Sequence, residues 1–506
     1  MQGVADSRIL IPSRTKSRRG QNAIEQTIKA FFGGNALVAV IVLALITIFL
    51  FREGFGFFGQ NLENLRLYRQ AGLEYVDIIR NLQSEHEALS RKLSDIRLRK
   101  VRALEMRHAS PDNITAALAS FDQFAANFSD AAENLRGLVS DLTDQASGLK
   151  EQVSAGDLSS RDPALHSLRE GGATFETISA NMTANLYALL AAAPPLADPA
   201  AEKSFAQWKS AVRDYLASLP AASEQLREWS PDAPIPWYRS ITSFLFGREW
   251  VTASFWQDWY GIVPLLVGSV MVALVALLIA VPLGVASAIY VSEVASPHEK
   301  RFIKPYIEFI SAIPSVVLGF FGIAVVGQAI RAASQSSLLK WVSFFPISER
   351  LNIFTAGCLL AFMAVPTIFT LAEDALRNVP RGFKEASYAL GANRVQTIAR
   401  VTVPASLSGI VSAILLGLGR VIGETMVVLL CAGNRIAIPD FTQGIGAIFQ
   451  PVHTMTGIIA QEMGEVVRGS THYRALFMVG LVLFTITLGI NWLAQRFVAR
   501  FRMSIG

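Results

Sequence analysis

EASYALGANRVQTIARVTVP, Glu385 to Pro404, is a polar interruption between two long apolar stretches. Glu385, Ala386 and Ser387 open a run of good helix formers, while Gly391 and Asn393 permit a tight turn. A second amphipathic stretch, VQTIARVTV, leads to Pro404, where a helix is expected to break or kink. The segment predicts two short helices joined at Gly391, in a basic loop (373–407) that also carries Arg377, Arg381, Lys384, Arg394 and Arg400.

Outward from this loop the chain is apolar. Six stretches are long enough to cross a bilayer, near 34–52, 262–291, 306–329, 353–372, 408–431 and 475–497. Over 506 residues, 52% are hydrophobic and 17% charged, with a mean hydropathy of +0.38. Soluble domains average about 25% charged residues, so the composition is that of a membrane protein. The N-terminal segment carries Arg8, Arg14, Lys16, Arg18, Arg19 and Lys29, loop 292–305 carries Lys300, Arg301 and Lys304, and the C-terminal segment carries Arg496, Arg500 and Arg502. All of these share one side with loop 373–407 if there are six spans and both termini are cytoplasmic, as in a multi-pass bacterial inner-membrane protein. SRTKSRRG precedes the first span and FREGFGFFGQ follows it without a small-residue cleavage site, so an uncleaved anchor is expected.

These readings divide the chain into a basic tail (1–33), a first transmembrane helix (34–52), an extracytoplasmic domain (53–255) and a membrane core (256–506). Residues 53–255 hold 20 basic and 26 acidic side chains, a net of −6, which leaves +11 on the remainder. A basic membrane portion suits cytoplasmic loops and anionic lipid rather than nucleic acid. In the external segment Leu62, Leu65, Tyr68, Val76, Ile79, Leu82, Leu89, Leu93 and Ile96 recur at helical spacing. Leu118, Phe121, Phe124, Phe128, Leu135, Leu138, Leu142, Leu149 and Val153 repeat the pattern, and helical stretches follow near 163–193 and 199–229. An elongated four-helix bundle or a coiled-coil hairpin satisfies this spacing. SPDAPIP (230–236) ends it, and Trp250, Phe255, Trp256, Trp259 and Tyr260 are expected to mark the return to the membrane interface.

The anomaly in the membrane core is GLGRVIGETM, 417–426, within the fifth span. An arginine at mid-span costs about 2.5–3.5 kcal/mol on insertion scales, so Arg420 needs a partner or water. Glu424 lies one turn away on the same helix face, and Gly419 and Gly423 form a small-residue step about 100° round it. One reading is an ion pair that fixes helix packing. The other is a substrate pathway through Arg420, Glu424 and the adjacent Thr425: a guanidinium fork matches a tetrahedral oxyanion, and a nearby carboxylate keeps the grip weak enough for release. Asp374 reads as a helix-end residue, Glu462 and Glu465 as part of an external loop, and Pro282, Pro314 and Pro366 as kinks. Cys358 and Cys431 lie in apolar spans and suggest no disulfide framework, and the six histidines lack metal spacing, so no metal is expected. No Gly-Lys dipeptide occurs, hence no nucleotide-binding Gly-x-x-x-x-Gly-Lys loop. The chain is not itself an ATPase and needs no bound cofactor.

The skeleton Glu385-Ala386-Ser387, three residues, Gly391, nine residues, then Val401-x-Val403-Pro404 resembles the EAA loop of ABC-importer permeases. AIYVSEVASPHEKRFIKPYIEFISAIPSVVLGFFGI (288–323), VPTIFTLAEDALRNVPRGFKEASYALGA (365–392), LGLGRVIGETMVVLLCAGN (416–434) and MTGIIAQEMGEVVRGSTHYRALFMVGLVLF (455–484) are similar to the C-subunit permeases of Pst-type phosphate importers. The resemblance implies an all-α, six-helix type I ABC permease fold, here with an enlarged external helical domain. It implies that Glu385, Ala386, Ser387, Gly391 and Pro404 couple to the ATPase, and that Arg420 and Glu424 serve phosphate movement. It further implies a homologous A-type permease partner, two ATPase subunits that use ATP, and an extracytoplasmic phosphate-binding protein. Sulfate, molybdate or phosphonate transport, or a sensing role for the external bundle, are the alternatives.

Overall fold

The computed structural model describes residues 18–106, 110–154, 161–195, 199–336, 342 and 345–501. The chain divides into two compact units. One contains the membrane core, residues up to Phe57 with Gly268–Asn434 and the chain from Asp440 onward; the other is Phe58–Val267 with Arg435–Pro439.

In the second unit, the end of α1 (Arg18–Gln70) is followed by α2 (Leu73–Met106), α3 (Pro111–Asp130), α4 (Glu133–Ser154), α5 (Arg161–Ala191) and α6 (Pro199–Glu228). The predicted periodicity is the buried stripe: Val76, Ile79, Leu82, Leu89, Leu93, Phe121, Phe128, Leu135, Leu142 and Leu149 all belong to one core. Burying side chains of this size contributes about 1.5–3 kcal/mol each, and that drives bundle formation more than helix propensity does. Two of the rods are interrupted. Gly72 sits at φ +72 between α1 and α2, and a Cβ there would meet Leu168 Cδ1 at 2.6 Å. The pattern over 118–153, continuous in apolar spacing, breaks at Ala131 between α3 and α4. His86 is fully buried in the core, stacked on Phe128 with ring centroids 4.4 Å apart and its Nε2 2.8 Å from the Phe128 carbonyl oxygen.

The chain then forms a short helix α7 (Tyr238–Leu245) and a two-stranded antiparallel hairpin, β1 (Trp250–Val251) with β2 (Trp259–Tyr260). The expected aromatic belt is corrected here for all but Phe255, which is exposed. Trp250 and Tyr260 are buried, and Trp256 donates its indole N–H to Asp77 at 2.9 Å while the Arg80 guanidinium covers its ring. These rings are consumed in packing because the hairpin folds back on the bundle.

Among the described residues, six helical stretches are long and apolar enough to cross a membrane: Glu25–Gln70, Val263–Val294, Ser315–Ser334, Ile353–Arg377, Arg394–Gly423 and Thr471–Arg496. The count matches the sequence reading, but three spans differ. The first, expected over 34–52, runs on as one helix to Gln70. The third begins at Ser315, because residues 297–310 form a separate helix α9 (Pro297–Ile310) and Pro314 stands at the N-cap of α10 (Ser315–Phe321). Ser296 and Glu299 close a reciprocal capping box at the start of α9, a signal readable in the sequence. The fifth span is shifted toward its N-terminus and ends at Gly423. Helices run through Pro282 in α8 (Val263–Ile289) and Pro366 in α12 (Ile353–Arg377).

Small residues let these helices approach closely, as expected where lipid offers no hydrophobic drive for packing. A Cβ on Gly357 would meet Val275 at 2.5 Å, and one on Gly409 would meet Ala375 at 2.4 Å. Gly417 faces Ile368 at 2.8 Å. The core of this unit joins Val272, Ala276 and Ala280 of α8 to Ala356, Leu360 and Ala364 of α12, and to Val421 and Cys431.

Candidate functional site

The polar loop folds as two short helices. α13 (Arg381–Ala389) begins after Pro380, four residues before Glu385, because proline's fixed φ suits a helix N-cap boundary. Gly391 sits at φ +82, a conformation that L side chains rarely adopt. Asn393 and Gln396 cap α14 (Arg394–Thr397) reciprocally. The Ser387 and Thr397 hydroxyls are 2.9 Å apart, which links the two helices.

Pro404 does not end the second helix. A π-helical turn, Ile398–Thr402, runs directly into α15 (Val403–Gly423), with the Val403 N–H bonded to the Ile398 carbonyl. The wide turn leaves Pro404 at the start of the next helix, where its missing N–H leaves no hydrogen bond unmade. The loop is therefore continuous with the span that carries Arg420.

Ion pairs hold the loop. Lys384 lies 2.7 Å from the Glu293 carboxylate, and Arg394 donates to the Glu293 carbonyl, so the π turn Tyr290–Val294 after α8 is clasped from both short helices. Glu373 is buried and pairs with Lys304 of α9 at 2.6 Å and with Arg377 at 3.6 Å. The sequence reading weighed Asp374 instead; that residue is exposed. Glu385 and Ala386 are exposed, as are Phe383, Tyr388, Leu390 and Val395. The loop thus presents apolar and acidic groups outward on a charge-fixed frame.

Around Arg420 the continuous-helix expectation fails. α15 stops at Gly423, Glu424 is extended (φ −73, ψ 134), and a new helix, α16, runs from Met426 to Cys431. Two bonds account for the break. The Met426 N–H donates to Glu424 Oε1 at 3.3 Å, and Thr456 Oγ1 donates to the Glu424 carbonyl at 2.8 Å. With Glu424 off the helix, the face shared with Arg420 is lost. Among the described residues no ion pair links the two. Arg420 is exposed and donates to Thr367 Oγ1 of α12 at 2.8 Å. Thr425, half-buried, precedes α16.

Within this chain the expected step at Gly419 and Gly423 receives no close helix. Nothing stands within 4 Å of a Cβ at Gly423, and Asn491 Oδ1 lies 3.8 Å from one at Gly419. The close approaches fall instead at Gly409 and Gly417.

Glu424 borders a cavity of about 10 Å³, the size of one water, lined also by Ser269, Thr454 and Thr456. Thr454 caps α17 (Met455–Glu462) by accepting from the Gly457 N–H, and Ser269 accepts from the Met455 N–H at 2.9 Å. His453 beside them is buried. The Thr454 N–H donates to its Nδ1 at 3.0 Å, which leaves Nε2 to donate to Gln461 at 3.1 Å. Burial holds this imidazole below its ordinary value, so it is a neutral structural group. Thr367, Ser269, Thr454 and Thr456 were not singled out from sequence. Only Thr454 carried a local signal there, a threonine just before a helical run; the others act across long sequence distances. Among the described residues no cluster could hold a metal.

Among the described residues, six apolar spans, a charge-clasped polar loop and a broken helix with an accessible arginine make up a multi-pass membrane protein. The sequence model for binding-protein-dependent transport system inner membrane components matches residues 280–503. The probable ABC transporter permease protein YqgH of Bacillus subtilis is 36% identical over 242 residues, 47% of this chain and 72% of that relative. The phosphate transport system permease proteins PstC of Pasteurella multocida and Haemophilus influenzae are 31% and 32% identical over 272 residues, 52% of this chain and 82% and 84% of theirs. The chain belongs to the family of binding-protein-dependent transport system inner membrane components. Such a permease works with a substrate-binding protein and a separate ATPase.

Proposed function

We propose that this chain is a permease subunit of an ATP-driven importer of inorganic phosphate, taking its substrate from an external phosphate-binding protein. It pairs with a homologous permease, and two ATPase subunits dock on the loop around Glu385, Ala386, Ser387 and Gly391. Its termini and that loop face the cytoplasm, as the basic residues of the short segments favour.

The observation that carries the proposal is the state of Arg420. It is accessible and held by one hydrogen bond to Thr367, so its remaining N–H groups are available to an oxyanion. Glu424 and Thr425 stand at the helix break beside it. The carboxylate is near enough in sequence to moderate anion binding and is not spent on neutralising the arginine. Relatives named as phosphate permeases support phosphate over other oxyanions. ATPase closure on the loop moves the Arg394–Gly423 stretch as one rod, since no break separates loop from span. Phosphate binding that differs between outward- and inward-facing states then moves the ion without covalent chemistry here. The test is competition: phosphate should displace labelled phosphate from the reconstituted transporter, whereas sulfate, molybdate and phosphonates should not.

A further inference from the structure

We infer that α7 and the turn after it lie in the headgroup layer of the bilayer and anchor the base of the external bundle to lipid. The helix has two faces. Ser240 and Phe244 are buried, whereas Trp237, Tyr238, Leu245 and Phe246 are 70%, 53%, 39% and 73% exposed. A stretch of ten residues that offers two of the largest aromatic side chains, a leucine and a phenylalanine to the surroundings is poorly matched to water. Tryptophan and tyrosine concentrate where an apolar ring and a polar tip are both satisfied, at the membrane interface.

The attachments of α7 are the first residues of one apolar span and a turn inside the long first helix. The Ile262 N–H donates to the Phe244 carbonyl at 2.9 Å and the Val263 N–H to the Gly247 carbonyl at 3.2 Å. Val263 is the first residue of an apolar span, so the C-terminal end of α7 sits at the depth of that span's first turn. Gly247 and Gly261 touch backbone to backbone: a Cβ on either would lie within 2.7 Å of the other's main chain. On the other side, the Ser240 hydroxyl donates to the Phe58 carbonyl at 2.7 Å, Asn61 donates to the Ser240 carbonyl, and the Phe58 and Phe244 rings meet edge to face. Phe58 belongs to α1, in which Phe49, Phe51 and Phe55 are exposed. The loop beyond adds exposed Val251 and Phe255, and exposed Arg239 and Arg248 supply charge for anionic headgroups. Lipid is favoured over a protein partner because α7 is hydrogen-bonded to Ile262 and Val263, where an apolar span begins.

The experiment uses the full chain in vesicles of phosphatidylethanolamine and phosphatidylglycerol, containing lipid spin-labelled either near the headgroup or mid-chain. The fluorescence component lost in Trp237→Phe reports Trp237. Phe246→Trp in that background supplies a second reporter at the other end of the same helix. Each component should be quenched at least twofold more by the headgroup-proximal label than by the mid-chain label, and should be shielded from aqueous iodide. Iodide quenching with no effect of labelled lipid would overturn the inference. Shielding that appears only when a substrate-binding protein is added would overturn it as well, and would assign the face to that protein.

Discussion

Arg420 donates to Thr367 at 2.8 Å and not to Glu424, which stands four residues further along the chain. The separation follows from the extended backbone at Glu424, and among the described residues it leaves an arginine of a spanning helix without a countercharge of its own. An uncompensated cation at such a position is costly. Retaining it is understandable if an anion completes the site during transport.

Thr367 then positions the guanidinium rather than neutralising it. Thr367→Val keeps shape but removes the hydroxyl, and loss of one hydrogen bond of this kind is worth about 0.5–1.5 kcal/mol. Phosphate uptake at low substrate should fall roughly two- to tenfold, less than for removal of Arg420. Thr367→Ser should restore it. Uptake by Thr367→Val equal to wild type would show that the bond does not set the arginine's position.

The clasp between Lys384 and Glu293 joins the loop to the end of α8. Both side chains are largely shielded, so breaking the pair should cost more than a surface bridge, on the order of 1–3 kcal/mol. In the assembled transporter, Lys384→Glu should uncouple ATP hydrolysis from uptake, and the exchange Lys384→Glu with Glu293→Lys should recover part of the coupling. Normal coupling in the single variant would mean that the clasp is incidental.

Two glycines with positive φ separate strain from crowding. At Gly391 a Cβ meets nothing within 4 Å, so Gly391→Ala carries backbone strain alone, about 1–2 kcal/mol. At Gly72 the Leu168 methyl intervenes at 2.6 Å, and overpacking adds about 1–3 kcal/mol. Thermal unfolding should therefore show a larger drop for Gly72→Ala. The reverse order would contradict the described turns.

His86 gives the bundle a pH dependence with a definite sign. Burial lowers its imidazole below the ordinary value of 6.5, with Arg136 acting in the same direction and the Phe128 carbonyl and Glu87 opposing. The folded state therefore favours the neutral ring. Stability is fully present above pH 6.5 and declines as the pH falls below that value, because the unfolded chain takes up a proton that the fold resists. His453 has the same sign. Melting followed from pH 7.5 to 5 should show this decline, reduced in His86→Phe. An unchanged slope in the variant would assign the dependence elsewhere.

The sequence made the spans and the bundle stripe legible because both are periodic, local and repeated. Gly391 and Asn393 were legible for a similar reason: turn and cap chemistry is written within a few residues. Glu424 was not. Its departure from the helix depends on Thr456, 32 residues away, and no local signal overrides a continuous apolar run. Glu373 was passed over for Asp374 because its partner Lys304 is 69 residues distant. Trp250 and Tyr260 carry the composition of a membrane belt, yet the hairpin buries them, and Trp237 and Phe246 take the exposed positions.

The central claim rests on Arg420 meeting the transported anion. The most direct measurement is initial phosphate uptake by Arg420→Lys and Arg420→Ala in membranes where the variant still assembles with its partners and hydrolyses ATP. The account predicts that Arg420→Ala loses at least 90% of uptake, since charge-assisted bonds of about 1.5–3 kcal/mol are removed. Arg420→Lys should retain only part, because a point charge replaces a planar fork. Wild-type uptake in both variants would contradict the account.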